Sequence, residues 1–165
     1  MERLWSPWRL PYVSGAAGPQ GCIFCRAVAR DEEPLVVFPG SSAFVILNRF
    51  PYNSGHLMIA PNRHVANLSA LTRDEMTEIM VLVQRAEVAL TEAYQPEGLN
   101  VGVNVGHAAG AGIVDHLHVH VVPRWSGDTS FMTVVGEVRV LPESLEATGT
   151  RLRPIFERLA TEISE

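Results

Sequence analysis

His116-Leu117-His118-Val119-His120-Val121-Val122 is the stretch on which the reading of this 165-residue chain turns. On a strand, alternate residues share a face. The three imidazoles therefore line one side, and Leu117, Val119 and Val121 lie on the other, toward a core. Such a row is costly as plain structure: charged imidazoles repel, and buried ones need hydrogen-bond partners. The pattern points to chemistry, against the plain alternative of a solvated strand face.

Outward from this strand the chain reads as α+β. Leu35–Phe38 and Ala43–Leu47 are short apolar runs around Pro39-Gly40, a hairpin signal. Gly55–Ala60 is a third strand candidate, and Leu99–Val105 precedes the histidine strand across a loop at Gly106–Gly112. Thr72 and Glu75 form a capping-box signature. From there Met76, Ile79, Met80, Val83 and Ala86 recur at helical spacing to about Tyr94, and Pro96 and Gly98 end the run. A short helix is expected at Ile23–Arg30 and a last one at Arg151–Ile163, with short strands at Phe131–Val135 and Val138–Leu141. Strands on either side of one long helix, with hairpin-length connections, predict an antiparallel sheet. The expected organisation is an aromatic arm over 1–20, with Trp5, Trp8 and Tyr12, a domain over 21–141, and a C-terminal helix within 142–165.

Composition excludes several classes. Charged residues are 19% and apolar residues 47%, a globular balance. No apolar run approaches a membrane span, and Met1–Trp8 lacks a secretory pattern, so a cytoplasmic protein without a membrane partner is expected. The net charge of −5 argues against binding a nucleic-acid polymer. All 13 basic residues are Arg, which removes lysine nucleophiles, Schiff bases and P-loop lysines. Cys22 and Cys25 are the only cysteines. Their spacing suits half of a tetrahedral zinc site, with a redox pair or two buried thiols as alternatives.

The His-φ-His-φ-His-φ-φ pattern resembles the signature of the histidine triad superfamily. The resemblance extends through Asn48-Arg49-Phe50-Pro51-Tyr52-Asn53-Ser54-Gly55-His56 and Asn104-Val105-Gly106, over about Cys22 to Phe131. Leu4-Trp5-Ser6-Pro7-Trp8-Arg9 and Pro123-Arg124-Trp125-Ser126-Gly127-Asp128 resemble its bacterial branch of diadenosine tetraphosphate phosphorylases and ATP adenylyltransferase-like proteins.

That resemblance implies a homodimer that cleaves dinucleoside polyphosphates through a covalent adenylyl group on His118. His120 would donate to phosphate oxygens and His56 would stand beside the leaving group. The ring nitrogen of His118 that carries a proton would bond a nearby carbonyl, that of His116. Asn48 matches a ribose-contacting position, or is a turn-forming Asn; Asn104 matches a phosphate-contacting amide. Gly106, Gly110 and Gly112 would let backbone amides approach phosphate. The loop lacks the Gly-Gln-[Ser/Thr] of many members and is one residue longer. Trp125 covers the nucleotide or simply packs, Arg124 meets a distal phosphate or sits at the surface, and His107 is read as an exposed loop residue. Related bacterial proteins imply that His64 and His116 complete a structural Cys₂His₂ zinc site with Cys22 and Cys25. Mg²⁺ would travel with the polyphosphate. Competing readings are a nucleoside phosphoramidase, an asymmetric diadenosine tetraphosphate hydrolase, a non-catalytic nucleotide sensor, and a hydrolase that uses the three histidines as metal ligands. The last lacks a carboxylate in the motif.

Overall fold

The computed structural model describes residues 21–29, 34–128 and 143–162. The aromatic arm over 1–20 and the strands expected at Phe131–Val135 and Val138–Leu141 lie outside these residues.

Five antiparallel strands form one sheet: β1 (Val36–Pro39), β2 (Ala43–Leu47), β3 (Leu57–Pro61), β4 (Gly98–Val103) and β5 (Val119–Arg124). Their spatial order is β1-β2-β3-β5-β4. Strand alternation gives the sheet two faces. Val45, Leu47, Leu57, Ile59, Val119 and Val121 project to one, where Ile79, Leu82, Ala86, Leu90, Leu152 and Phe156 cover them. Phe44, Ile46, Met58 and Ala60 project to the other, packed with Phe24 and Ala27. The first face holds the larger core; the second carries the histidines.

Three helices do the covering: α1 (Ile23–Val28), α2 (Arg73–Tyr94) and α3 (Leu145–Glu162). The capping box of α2 forms as its sequence requires. Thr72 Oγ1 accepts from the Glu75 amide at 3.2 Å, and Glu75 Oε2 accepts from the Thr72 amide at 2.8 Å. At the far end Pro96 disfavours continued right-handed helix at its predecessor. Gln95 leaves in the left-handed region, its amide still bonding the Thr91 carbonyl at 3.0 Å. Gly98 is not part of the stop: it is the first residue of β4.

Several boundaries shift by one or two residues from the sequence reading, and two shift further. α3 begins six residues before Arg151, because Ser144 starts it: its carbonyl accepts from the Thr148 amide at 2.9 Å, and its hydroxyl from the Ala147 amide at 3.2 Å. Gly149 and Pro154 interrupt the apolar pattern without ending the helix. β5 begins at Val119 rather than His116. The chain before it pairs elsewhere, with the Leu117 amide donating to the Val65 carbonyl at 2.7 Å. Among the described residues no helix is long and apolar enough to cross a membrane.

Glu75 also takes both prongs of Arg63, from Nε at 2.6 Å and Nη2 at 2.7 Å. These contacts, with the Thr72 amide, hold its carboxyl at about 2. A lowered folded-state pKa contributes stability above the ordinary carboxylate range and loses it as pH falls through the folded value. Glu75→Gln should therefore lower neutral-pH stability by about 1 kcal/mol. In urea unfolding the deficit should shrink from pH 4.5 toward pH 2; a constant deficit would contradict this role.

Candidate active site

Register decides which side chains meet. Ile46, Met58, His120 and Gly102 form one row across β2, β3, β5 and β4. His120 therefore stands on the face away from the two long helices, and alternation puts His118 and His116 on the same side. Phe24 of α1 lies over them, its ring centroid 5.0 Å from each. Phe24 is itself fully buried. The three imidazoles do share a face, although two of them precede the strand.

Hydrogen-bond partners fix where each ring holds its proton. His118 Nδ1 lies 2.9 Å from the His116 carbonyl, which can only accept. Nδ1 therefore donates, and the lone pair is on Nε2. Burial lowers the His118 pKa, so the neutral ring is the stable form at physiological pH. His56 Nδ1 accepts from the Tyr52 backbone amide at 3.0 Å. Its proton is then on Nε2, which reaches His120 Nδ1 at 2.9 Å. His120 accepts there and keeps its own proton on Nε2. A nitrogen lone pair on His118 thus neighbours a donor on His120, with ring centroids 4.9 Å apart.

His116 faces the other way. Its Nε2 donates to the Pro61 carbonyl at 2.8 Å, leaving the Nδ1 lone pair for the thiols. Nδ1 lies 3.3 Å from Cys22 Sγ and 3.7 Å from Cys25 Sγ, and His64 Nδ1 lies 3.2 Å from Cys25 Sγ. Together the four donor atoms lie within 4.8 Å of one another. Donors around a tetrahedral zinc ion, at its usual bond lengths, stand about 3.3–3.8 Å apart, so this group could hold a metal ion. The Pro61 bond is the outer contact that metal-ligating histidines usually make. Burial raises the Cys22 pKa, but a hydrogen bond from the His116 ring in its protonated form, with amides of the local backbone, outweighs it and brings the thiol to about 6. Burial and the neighbouring Cys22 charge push Cys25 up.

The model of the HIT domain matches residues 30–127. The chain belongs to the HIT family. It is 41% identical over 157 residues to the AP-4-A phosphorylase of Mycobacterium tuberculosis, covering 90% of this chain and 80% of that protein. It is 28% identical to the adenosine 5'-monophosphoramidase of Schizosaccharomyces pombe, over 79% of this chain and 95% of that one. Among solved structures it resembles a Zn-bound histidine triad family protein from Mycobacterium smegmatis. There the TM-score is 0.70 at 29% identity, over 87% of this chain and 99% of that one.

The remaining expected residues of this HIT chain fall in different places. Asn48 is buried, and its Oδ1 accepts from the Phe50 amide at 2.9 Å, so it builds the turn after β2. Asn104 lines a cavity beside His120. Gly106 and Gly110 adopt positive φ (80° and 86°) on either side of a 3₁₀ turn at His107–Ala109; Gly112 does not. His107 is exposed. Trp125 is half-buried, outside that cavity's wall, with its amide 3.3 Å from Asp128 Oδ2.

Sequence reasoning gave no role to Phe24, Tyr52, Asn100 or Gly102. The alternation Asn100-Val101-Gly102-Val103-Asn104 held the signal for the last two. Phe24 and Tyr52 carry none, since their places depend on the packing of α1 and the β2–β3 turn.

Imidazole ¹⁵N spectra at pH 7 should show His118 protonated at Nδ1 and His56 at Nε2. A His118 protonated at Nε2 would contradict the assignment.

Proposed function

We propose that this protein cleaves dinucleoside polyphosphates, and diadenosine tetraphosphate by phosphorolysis to ADP and ATP. The observation that carries the reading is the His118–His116 carbonyl bond, which leaves a neutral Nε2 lone pair beside the donor of His120. The likeness to the M. tuberculosis AP-4-A phosphorylase supports the substrate.

In the first step His118 Nε2 attacks the α-phosphorus and the bridging P–O bond breaks. ATP leaves with the bond's electron pair, as an anion needing no full proton transfer. The imidazolium formed keeps its Nδ1 proton against the His116 carbonyl, which spreads the new positive charge. His120 Nε2–H hydrogen-bonds the phosphoryl oxygens as charge builds there, and His56, anchored by Tyr52, holds the His120 ring in register. In the second step inorganic phosphate attacks the same phosphorus, the P–N bond breaks, and ADP leaves with His118 restored. Asn104 and the backbone of Gly106, Gly110 and Gly112 are proposed phosphate contacts. Asn48 and Trp125 are proposed contacts to the nucleoside.

We also infer that Cys22, Cys25, His64 and His116 hold Zn²⁺. With four protein donors and no open position, the ion would cross-link α1 to the segment bearing His118 rather than act as a Lewis acid. The zinc-bound M. smegmatis relative supports this. A homodimer is proposed as well: β4 is an edge strand that leaves Val101 52% exposed.

Product analysis on diadenosine tetraphosphate tests the reaction. Wild type should give ADP plus ATP only with phosphate, and His118→Ala should lose at least ~10³-fold in rate. Phosphate-independent AMP plus ATP would assign a hydrolase instead. No turnover, with turnover of adenosine phosphoramidate, would assign a phosphoramidase. Metal analysis should find one zinc per chain, lost in Cys22→Ser/Cys25→Ser along with several degrees of Tm. A zinc-free, equally stable wild type would contradict the metal site.

A further inference from the structure

Beside His120 the face of the sheet opens into a cavity of about 390 Å³, of which Phe24 is not a wall. That lies at the small end of ligand pockets and suits one nucleoside rather than two. His118 is not on its wall. The cavity is a product of the β4 sequence. Asn100 and Gly102 point to the histidine face, Gly102 paired with His120 and Asn100 with Val122. Asn104 follows at the same spacing and also lines the cavity. Gly102 leaves the gap between the two amides: a Cβ placed there would meet no atom within 4 Å. Among the described residues the Asn104 side chain makes no hydrogen bond with the protein.

The opposite wall is held rigidly. Asp128 accepts from Asn53 Nδ2 at 2.8 Å and from Arg124 through Nε at 2.5 Å and Nη2 at 2.9 Å. Arg124 Nη1 donates in turn to Asn100 Oδ1 at 2.6 Å. That last bond spends the Asn100 carbonyl and leaves its NH₂ for a ligand. Because Asp128 balances the Arg124 charge, this wall is close to neutral. It suits the mixed donors and acceptors of a base and ribose better than a free phosphate ion. The Tyr52 ring, 6.1 Å from that of His120 and 27° from parallel, adds an aromatic face.

We propose that this cavity is the subsite for the second nucleoside of a dinucleoside polyphosphate, the one that departs with the leaving group. The inference rests on the adenylyl-His118 reading, which places the first nucleotide at His118 and the leaving chain next to His120. Asn100 would then read the departing base or ribose, Asn104 the phosphates that lead to it, and Gly102 would set the room available. A compound with only one nucleoside, such as AMP or a phosphoramidate, would leave the cavity unused.

Calorimetric binding of a methylene-bridged, uncleavable diadenosine tetraphosphate, set against AMP, tests this. Gly102→Leu fills the cavity from an open strand position, and Asn100→Ala removes a polar contact without adding bulk. Each should weaken the dinucleotide about tenfold or more and leave AMP within about twofold. Equal weakening of both ligands, or unchanged dinucleotide affinity in both variants, would overturn the proposal. So would a variant that changes the mass in light scattering but leaves dinucleotide affinity intact, since that assigns the cavity to chain association. Wild type that binds the dinucleotide but not AMP would count against the His118 reading alone, and weakening of the dinucleotide in both variants at unchanged mass would then still support the cavity.

Discussion

The ring of His118 is held by one bond, from Nδ1–H to the carbonyl of His116, and much of the structure keeps that carbonyl in place. The His116 backbone precedes β5, where ladder bonds cannot hold it. Its side chain is fixed instead, by the Pro61 carbonyl on one nitrogen and by the cysteine-lined donor group at the other. Phe24 then closes over both rings. A neutral imidazole with its lone pair on Nε2 follows from these constraints together. None of the groups that impose them is itself placed to react.

The sheet separates stability from chemistry by alternation. Leu57, Ile59, Val119 and Val121 face α2 and α3 and supply the larger core. Met58, His120 and Gly102, displaced by one residue, form the row beneath the site. A one-residue slip would exchange the two sets, so the register that buries the core also positions the histidines. His56 enters from a turn instead, where Gly55 adopts positive φ close to Leu90, Tyr94 and Pro123.

Much of this was legible in the residues. The capping box at Thr72 and Glu75, the hairpin at Pro39-Gly40 and the alternation after Val119 are local signals, and each took the form its sequence implied. The pairing of Cys22 and Cys25 with His64 and His116 came from resemblance, and the folded chain brings the four together. What escaped was set by tertiary contact. The early start of α3 depends on Ser144 acting as a cap ahead of a run containing Gly149 and Pro154. Phe24 reads as an ordinary core residue until α1 is laid across the histidines. Asn48 had two readings, and the Phe50 amide bonded to its Oδ1 shows the turn without bearing on a ribose contact.

The account stands on a covalent bond to one nitrogen. Wild-type protein mixed with diadenosine tetraphosphate in the absence of phosphate, quenched within milliseconds and weighed intact, measures that bond directly. The structure predicts one added adenylyl group per chain, mapped to His118 and discharged when phosphate is added. Turnover of the substrate with no adduct, or with an adduct on any other residue, would contradict it.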